Sequence, residues 1–401
     1  MITLDKIKVL SEKNDSKIIF LIMDGLGGLP RPETGKTELE TAKTPNLDLL
    51  ASKGVCGVVD PVSRGITPGS GPGHLGLFGY DPLKFDVGRG ILEALGIDFD
   101  LKDGDVATRG NFCTVDKKGL VVDRRAGRIS TETNAELCKK LAKIRLTGAE
   151  LIVEPVREHR LLVVFRGSGL TGDVADTDPQ QLGLPPLKAV PHNNASKKVA
   201  EMANEFIDKA KEVLAESHPA NMVLLRGFSS HPDMPSMQEI FKLNPAAIAS
   251  YPMYRGLAKL VGMKVLPTGV TIEDELNTLH EHYDDYDFFF IHVKKTDSYG
   301  EDGNFDAKVG VIEEVDSLLP RITDLQPDVI VVTGDHSTPA LLQSHSWHPV
   351  PILLYSKWCR PDRVKEFAES ECHSGGLGRF LSMEIMPTAM AHALKLAKYG
   401  A

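Results

Sequence analysis

Asp24, Ser70, Asp297, Asp335, His336 and His345 carry the residue types and spacing from which a reaction centre can be built. Asp335-His336 ends the segment Thr333-Gly334-Asp335-His336, directly after the apolar run Asp328-Val329-Ile330-Val331-Val332. Asp24-Gly25 ends a second apolar run, residues 17–23, about three hundred residues earlier. A carboxylate or imidazole at the end of a β-branched strand lies at the carboxyl edge of a sheet, where open α/β folds place their sites. Asp297, with Glu301 four residues on, follows a third such run, and His345 and His348 precede a fourth. One segment cannot surround two ions, so a two-metal site needs carboxylates and imidazoles from several strand ends. Ions about 4 Å apart clamp the attacking and leaving oxygens of a phosphoryl transfer. Ser70 adds a hydroxyl nucleophile, and Gly69, Gly71 and Gly73 around it let backbone amides approach a phosphate.

The elements that must hold these residues fall into two kinds. A strand at 18–23, a helix from Thr44-Pro45, a strand at 55–59 and a helix beginning near His74 open the chain. From 246 onward helix-like segments at 254–261, 271–282 and 307–319 alternate with strands at 288–293, 329–332 and 350–355, and a last helix starts at Thr388. Such alternation predicts an α/β fold with a mainly parallel sheet flanked by helices. Between them the character changes. Short β-like runs at 121–122, 151–153 and 161–165 and an amphipathic helix at 194–216 predict an inserted α+β domain, rich in arginine (Arg109, Arg124, Arg125, Arg128, Arg157, Arg160, Arg166, Arg226). The boundaries read as 1–94 and 246–401 for a discontinuous core and 95–245 for the insert. Bidentate arginines suit a substrate's phosphate and carboxylate. The isolated His192, His218 and His231 read as surface or helix-flanking residues.

Composition sets outer limits. The chain has 401 residues, 42% hydrophobic and 25% charged, with formal net charge −9. That balance argues against a duplex-binding surface, so no nucleic-acid partner is expected. Five scattered cysteines without a CxxC pair speak against a disulfide framework and a thiolate zinc site. With no signal-type core and no apolar run near the roughly 18 residues of a membrane span, a cytoplasmic protein without a membrane partner is expected.

Taken together the motifs resemble the cofactor-independent phosphoglycerate mutases, archaeal-type branch, of the alkaline phosphatase superfamily. The residues that carry the resemblance are Asp24-Gly25, Thr44-Pro45-Asn46-Leu47-Asp48, Gly69-Ser70-Gly71-Pro72-Gly73-His74, His292-Val293-Lys294-Lys295-Thr296-Asp297, Thr333-Gly334-Asp335-His336 and His345-Ser346-Trp347-His348-Pro349-Val350-Pro351. In the insert they are Arg109-Gly110-Asn111-Phe112, residues 123–128, Glu158-His159-Arg160 and Asp176-Thr177-Asp178-Pro179, and in the core residues 251–256. The resemblance implies an alkaline-phosphatase-like core and an isomerase of 3-phosphoglycerate and 2-phosphoglycerate. It implies two divalent ions, Mn2+ first, with Mg2+, Zn2+ or Co2+ as alternatives, and no 2,3-bisphosphoglycerate. Asp24, Ser70, Asp335 and His336 would hold one ion; Asp297, Glu301 and His345 the other. Ser70 would take the phosphoryl group, and the insert would close to exclude water. His159, Asp176 and Asp178 are the candidate acid/base residues, and Arg109, Arg125, Arg128, Arg160, Arg166 and Arg255 the substrate-gripping set. His74 and His348 are candidates for orienting the ligands, with helix packing the alternative for His74.

One position departs from the family pattern, which has histidine four residues after the equivalent of Asp297. Here it is Glu301, a hard oxygen donor that disfavours softer metals. Glu301 as substitute ligand is the preferred expectation; Asp302 in its place, or a weak second site, are the alternatives. The competing functions are a metal-dependent phosphatase or another phosphomutase on the same core, and a non-catalytic phospho-ligand binding protein. A homo-oligomer is left open.

Overall fold

The computed structural model describes residues 3–85, 87–102, 104–230, 232 and 234–400. Two compact units emerge, Met1–Asp86 with Met234–Ala401, and Val87–Asp233. The strands in chain order are β1 (Ile18–Met23), β2 (Val55–Asp60), β3 (Asp105–Val115), β4 (Val121–Asp123), β5 (Glu150–Arg157), β6 (Arg160–Arg166), β7 (Met222–Ser230), β8 (Pro245–Ala249), β9 (Lys264–Val265), β10 (Phe288–Val293), β11 (Val329–Thr333), β12 (Val350–Ser356) and β13 (Gly378–Leu381).

The discontinuous unit holds an eight-stranded sheet in the order β13-β2-β12-β11-β1-β10-β8-β9. β12 runs antiparallel to both neighbours and every other pairing is parallel. Every residue of β1, β10 and β11 is buried, as central strands of a sheet covered on both faces require. These three are adjacent and parallel, with Ile22 opposite both His292 and Thr333. Their carboxyl ends therefore lie side by side, and the segments that follow begin at Asp24, Lys294 and Gly334. Sequence-distant residues are thereby collected at one sheet edge.

The second unit is a five-stranded antiparallel sheet in which β3 is central, paired with β4, β6 and β7. The amphipathic helix Lys197–Val213 packs on it through Val199, Met202, Phe206 and Ala210. β3 escaped the sequence reading because Thr108-Arg109-Gly110-Asn111 breaks its apolar run, and these polar residues turn out to matter.

The unit boundaries lie at 87 and 233 rather than 95 and 245. Helix Arg89–Gly96 belongs with the antiparallel sheet: Ser229 Oγ lies 3.3 Å from the Ile91 amide, and Glu93 accepts from Arg109 Nε at 2.9 Å. Helix Met237–Phe241 belongs with the large sheet, burying Met237, Ile240 and Phe241, with the Met237 amide donating to the Val261 carbonyl. Among the described residues no helix is long and apolar enough to cross a membrane.

Candidate functional site

The helix after the glycine-rich loop starts at Ser70, four residues before the expected His74, and runs to Leu77. Ser70 thus sits in the first turn, where unsatisfied amides and the helix dipole favour negative charge. Gly73 is required by proximity: a Cβ there would meet the Asp335 carbonyl oxygen at 2.4 Å. That contact seats the helix directly on the loop after β11, and Ser70 Oγ comes to 3.4 Å from His336 Nε2.

Around His336 the donors form two groups. Asp24, Asp335 and His336 make the first, and Asp297, His336 and His345 the second. His336 belongs to both, whereas the resemblance assigned it to one ion. Its Nε2 lies 3.4 Å from Asp24 Oδ1, 3.2 Å from Asp335 Oδ2 and 4.0 Å from Asp297 Oδ1.

Hydrogen bonds fix which imidazole nitrogens are free. Thr338 Oγ1 donates its one proton to Asp297 Oδ1 at 2.6 Å, so at 3.0 Å it accepts from His336 Nδ1–H. Nε2 of His336 then carries a lone pair facing the carboxylates. His345 Nδ1 donates to the Pro68 carbonyl at 2.9 Å, which leaves its Nε2 as a lone pair 3.6 Å from Asp297. The His336 and His345 rings stack with centroids 3.7 Å apart. Burial pushes the His336 pKa down, against the pull of Asp335 and Asp24, and keeps the ring neutral.

Lys294 is the cation placed among the carboxylates. Burial would raise the Asp24 carboxyl, but Lys294 beside it holds it well below the usual range. Lys294 Nζ donates to Asp24 Oδ2 and Tyr254 Oη, each at 3.0 Å, and to Asp297 Oδ2. His74 Nδ1 hydrogen-bonds the Ser70 carbonyl at 2.8 Å and lies 3.1 Å from Asp335 Oδ2, and its ring packs on Tyr254 and His292. His74 therefore both orients Asp335 and packs the helix start. His348 lies farther back, with Nδ1 3.0 Å from Ser346 Oγ.

The donor set fits divalent ions. Asp24 Oδ1 and Asp335 Oδ2 are buried without a hydrogen-bond partner, and both face the lone pair of His336. Anionic oxygens and a lone pair converging in a dry site repel one another unless a cation lies between them. Glu301 stands at the edge. It closes helix Lys295–Glu301, its side chain is 55% exposed, and its Oε1 lies 3.7 Å from His345 Nε2. Asp302 is exposed as well.

A second constellation lies within the Val87–Asp233 unit. Arg109, Asn111, Arg124, Arg125, His159, Arg160 and Arg226 line a cavity of about 180 Å³. Strand register explains it. Arg109 and Asn111, two apart on β3, share a face; Arg109 pairs with Arg226 of β7, and Asn111 with Arg160 of β6. Like charges directly opposed across strands cost stability. Burial lowers the Arg109 pKa, and Arg160 and Arg89 add to this although Glu93 opposes it. His159 is pushed down to about 4 by burial and by Arg160, so it is neutral. Asn111 Oδ1, His159 Nδ1 and Arg226 Nε are buried without hydrogen-bond partners.

The cavity gathers Arg109, Arg125, Arg160 and His159 from the expected set and adds Asn111, Arg124 and Arg226. Three expected arginines lie elsewhere. Arg166 is six residues, about 20 Å, along β6 from Arg160, locked to Asp105 at 2.8 and 2.7 Å. Arg128 is exposed on a short 3-10 turn, and Arg255 lies in helix Pro252–Leu260 of the other unit. Asp176 and Asp178 are engaged as counter-ions: Asp178 takes a bidentate pair from Arg124 at 3.0 and 2.6 Å, and Asp176 accepts from the Gly227 amide and lies 3.5 Å from Arg226. Of the isolated histidines, His192 and His218 are exposed, and His231 lies outside the described residues.

Thr338 and Lys294 escaped the sequence reading as site residues. Each lies a few residues beyond a strand carrying a site residue, and that placement was the available signal.

Comparison with known proteins shows the family of the chain. A family model described as 2,3-bisphosphoglycerate-independent phosphoglycerate mutase matches residues 51–221. A probable 2,3-bisphosphoglycerate-independent phosphoglycerate mutase of Thermus thermophilus is 53% identical over 400 residues, 98% of each chain. One from Aquifex aeolicus, likewise named as probable, is 52% identical over 408 residues, 99% of this chain and 100% of its own. Among solved structures, a Pyrococcus horikoshii protein superposes with TM-score 0.83 at 32% identity, covering 97% of this chain and 100% of its own. The cofactor-independent phosphoglycerate mutase of Thermoplasma acidophilum does so with TM-score 0.72 at 30% identity, covering 94% and 100%. At this identity and coverage, the chain belongs to the 2,3-bisphosphoglycerate-independent phosphoglycerate mutase family.

Proposed function

We propose that this protein interconverts 3-phosphoglycerate and 2-phosphoglycerate through a phosphoserine at Ser70. The observation that carries the reading is the pair of donor groups sharing His336, with Ser70 Oγ 3.4 Å from the shared nitrogen. Asp24, Asp335 and His336, with Ser70 beside them, would hold one divalent ion. Asp297, His336 and His345 would hold the other, with Glu301 reachable at its exposed side. Such ions supply Lewis acidity to phosphoryl oxygens and lower the pKa of a nearby hydroxyl. Carboxylate-rich donors suit Mn2+ and Mg2+ over softer metals, with Zn2+ and Co2+ as alternatives.

The chain's own groups do the rest. Ser70 Oγ attacks phosphorus and takes the phosphoryl group, assisted by the helix N-terminus. The freed glycerate turns, and its other hydroxyl takes the phosphoryl group back. The five arginines of the second unit match an anionic substrate's phosphate and carboxylate. His159, neutral above about pH 4, can exchange a proton with a ligand hydroxyl.

The test supplies the Mn2+-loaded protein with 3-phosphoglycerate and measures 2-phosphoglycerate and free phosphate together. Formation of 2-phosphoglycerate without matching phosphate release is expected, together with loss of turnover in Ser70→Ala. Free phosphate as the main product would make the protein a phosphatase. Binding without either product would make it a binding protein.

A further inference from the structure

The loops that carry the metal donors meet on one buried cation. Lys308, in helix Phe305–Leu318, is fully buried. Its Nζ donates to the carbonyls of Gly25 at 2.9 Å, Gly27 at 3.2 Å and Thr338 at 2.9 Å. An ammonium has three donors, so all of them are spent on main-chain oxygens. Glu38, also fully buried, lies 3.8 Å away and accepts from the Ala340 amide at 2.8 Å.

The three carbonyls are not arbitrary. Gly25 and Gly27 belong to the loop that starts at Asp24, and Thr338 lies two residues past His336. Thr338 is the residue whose hydroxyl sets the His336 tautomer and holds Asp297. The Thr338 amide reaches the same two glycine carbonyls, at 3.2 and 3.1 Å. Gly25 has φ +66°, and a Cβ there would meet Thr338 Oγ1 at 2.6 Å, so no side chain can brace the crossing from within. Bracing from behind falls to Lys308.

We propose that Lys308 is a positioning residue of the metal centre, a tethered monovalent cation that draws the loop after Asp24 and the loop after His336 together and so sets the donor geometry. The inference rests on the two-ion reading of that centre. A lysine that merely filled the core would affect folding alone. A lysine that sets donor geometry affects metal binding even where the fold is restored. Lys308→Met leaves Glu38 buried and uncompensated, which costs stability by itself. The double variant Lys308→Met/Glu38→Gln removes that charge and separates the two effects.

The experiment strips the full chain of metal, titrates it with Co2+ and records affinity and the visible d–d absorption, with denaturation of each protein measured in parallel. Lys308→Met is expected to lose stability. The double variant is expected to regain most of it, yet to bind Co2+ ~10- to 100-fold more weakly, the usual effect of losing an outer-sphere support, with altered band intensity. Wild-type affinity and spectrum in either variant would overturn the proposal. So would a double variant that does not fold, since Lys308 would then belong to the scaffold. Wild-type protein that binds no Co2+ would instead sink the two-ion reading and this inference with it.

Discussion

The proposed metal centre and the arginine cavity solve opposite electrostatic problems. At the proposed metal centre, carboxylates converge and the protein interleaves its own donors: Lys294 between Asp24 and Asp297, the His74 imidazole against Asp335, Lys308 behind the loops. In the cavity, five arginines face one another; Asp176 and Asp178 neutralise Arg124 and Arg226, and Glu93 pairs with Arg109. One region is built on loops at strand ends and the other on strand faces. On the proposed reading the first takes added cations and the second an added anion, and each leaves buried polar atoms without hydrogen-bond partners.

The largest expected effect tests the first half of that contrast. Asp24→Asn removes one anionic oxygen from the first donor group and half of the counter-charge of Lys294. Turnover should fall on the order of 10³-fold or more, the scale of losing a charge-stabilising group at a reaction centre. Metal content should fall with it, measured by atomic emission after dialysis. Full metal content with lost turnover would show that Asp24 acts on the substrate rather than on an ion.

The two regions also differed in how far they could be read from sequence. The strand-end donors were legible because β1, β10 and β11 are apolar runs that stop abruptly at polar residues, and a parallel sheet brings such ends together. The arginine cavity was legible only as a composition. Which arginines meet depends on the antiparallel register of β3, β6 and β7, and neither β3 nor β7 has an uninterrupted pattern. Arg166 and Arg160 look equivalent along the chain, yet the register sends one to Asp105 and the other to the cavity. Thr338 and Lys294 stand two and three residues from His336 and Asp297, a local signal, but their bonds to Asp297 and Asp24, and all those of Lys308, reach groups distant in sequence.

A smaller effect tests the cavity. Arg160 opposes Asn111 across the sheet and adds to the crowding that lowers Arg109 and His159. Arg160→Met should weaken binding of 3-phosphoglycerate by roughly 10- to 100-fold, the worth of a charged hydrogen bond of about 1.5–3 kcal/mol. The ligand-free melting temperature should hold or rise, because a like charge has gone. A marked fall in melting temperature with unchanged affinity would make Arg160 a structural residue and erase the contrast.

The smallest effect is a pH dependence confined to the cavity. The ordinary histidine pKa is near 6.5, and that of His159 in the folded chain is about 4. Between those values the unfolded chain holds a proton that the folded chain refuses, so His159 subtracts stability as pH falls from about 6.5 toward 4 and has no effect at pH 7. An anion in the cavity offsets the arginine field and raises the His159 pKa. Binding near pH 5 should therefore take up protons, read as a buffer-dependent heat in calorimetry. His159→Gln should flatten both the stability profile over that window and the proton uptake, while melting at pH 7.5 stays close to wild type. Loading the proposed metal centre is expected to give the opposite linkage, because metal ligands bind in their deprotonated form and release protons. Proton uptake on phosphoglycerate binding that survives in His159→Gln would place the titrating group outside the cavity and break the comparison at its weakest joint.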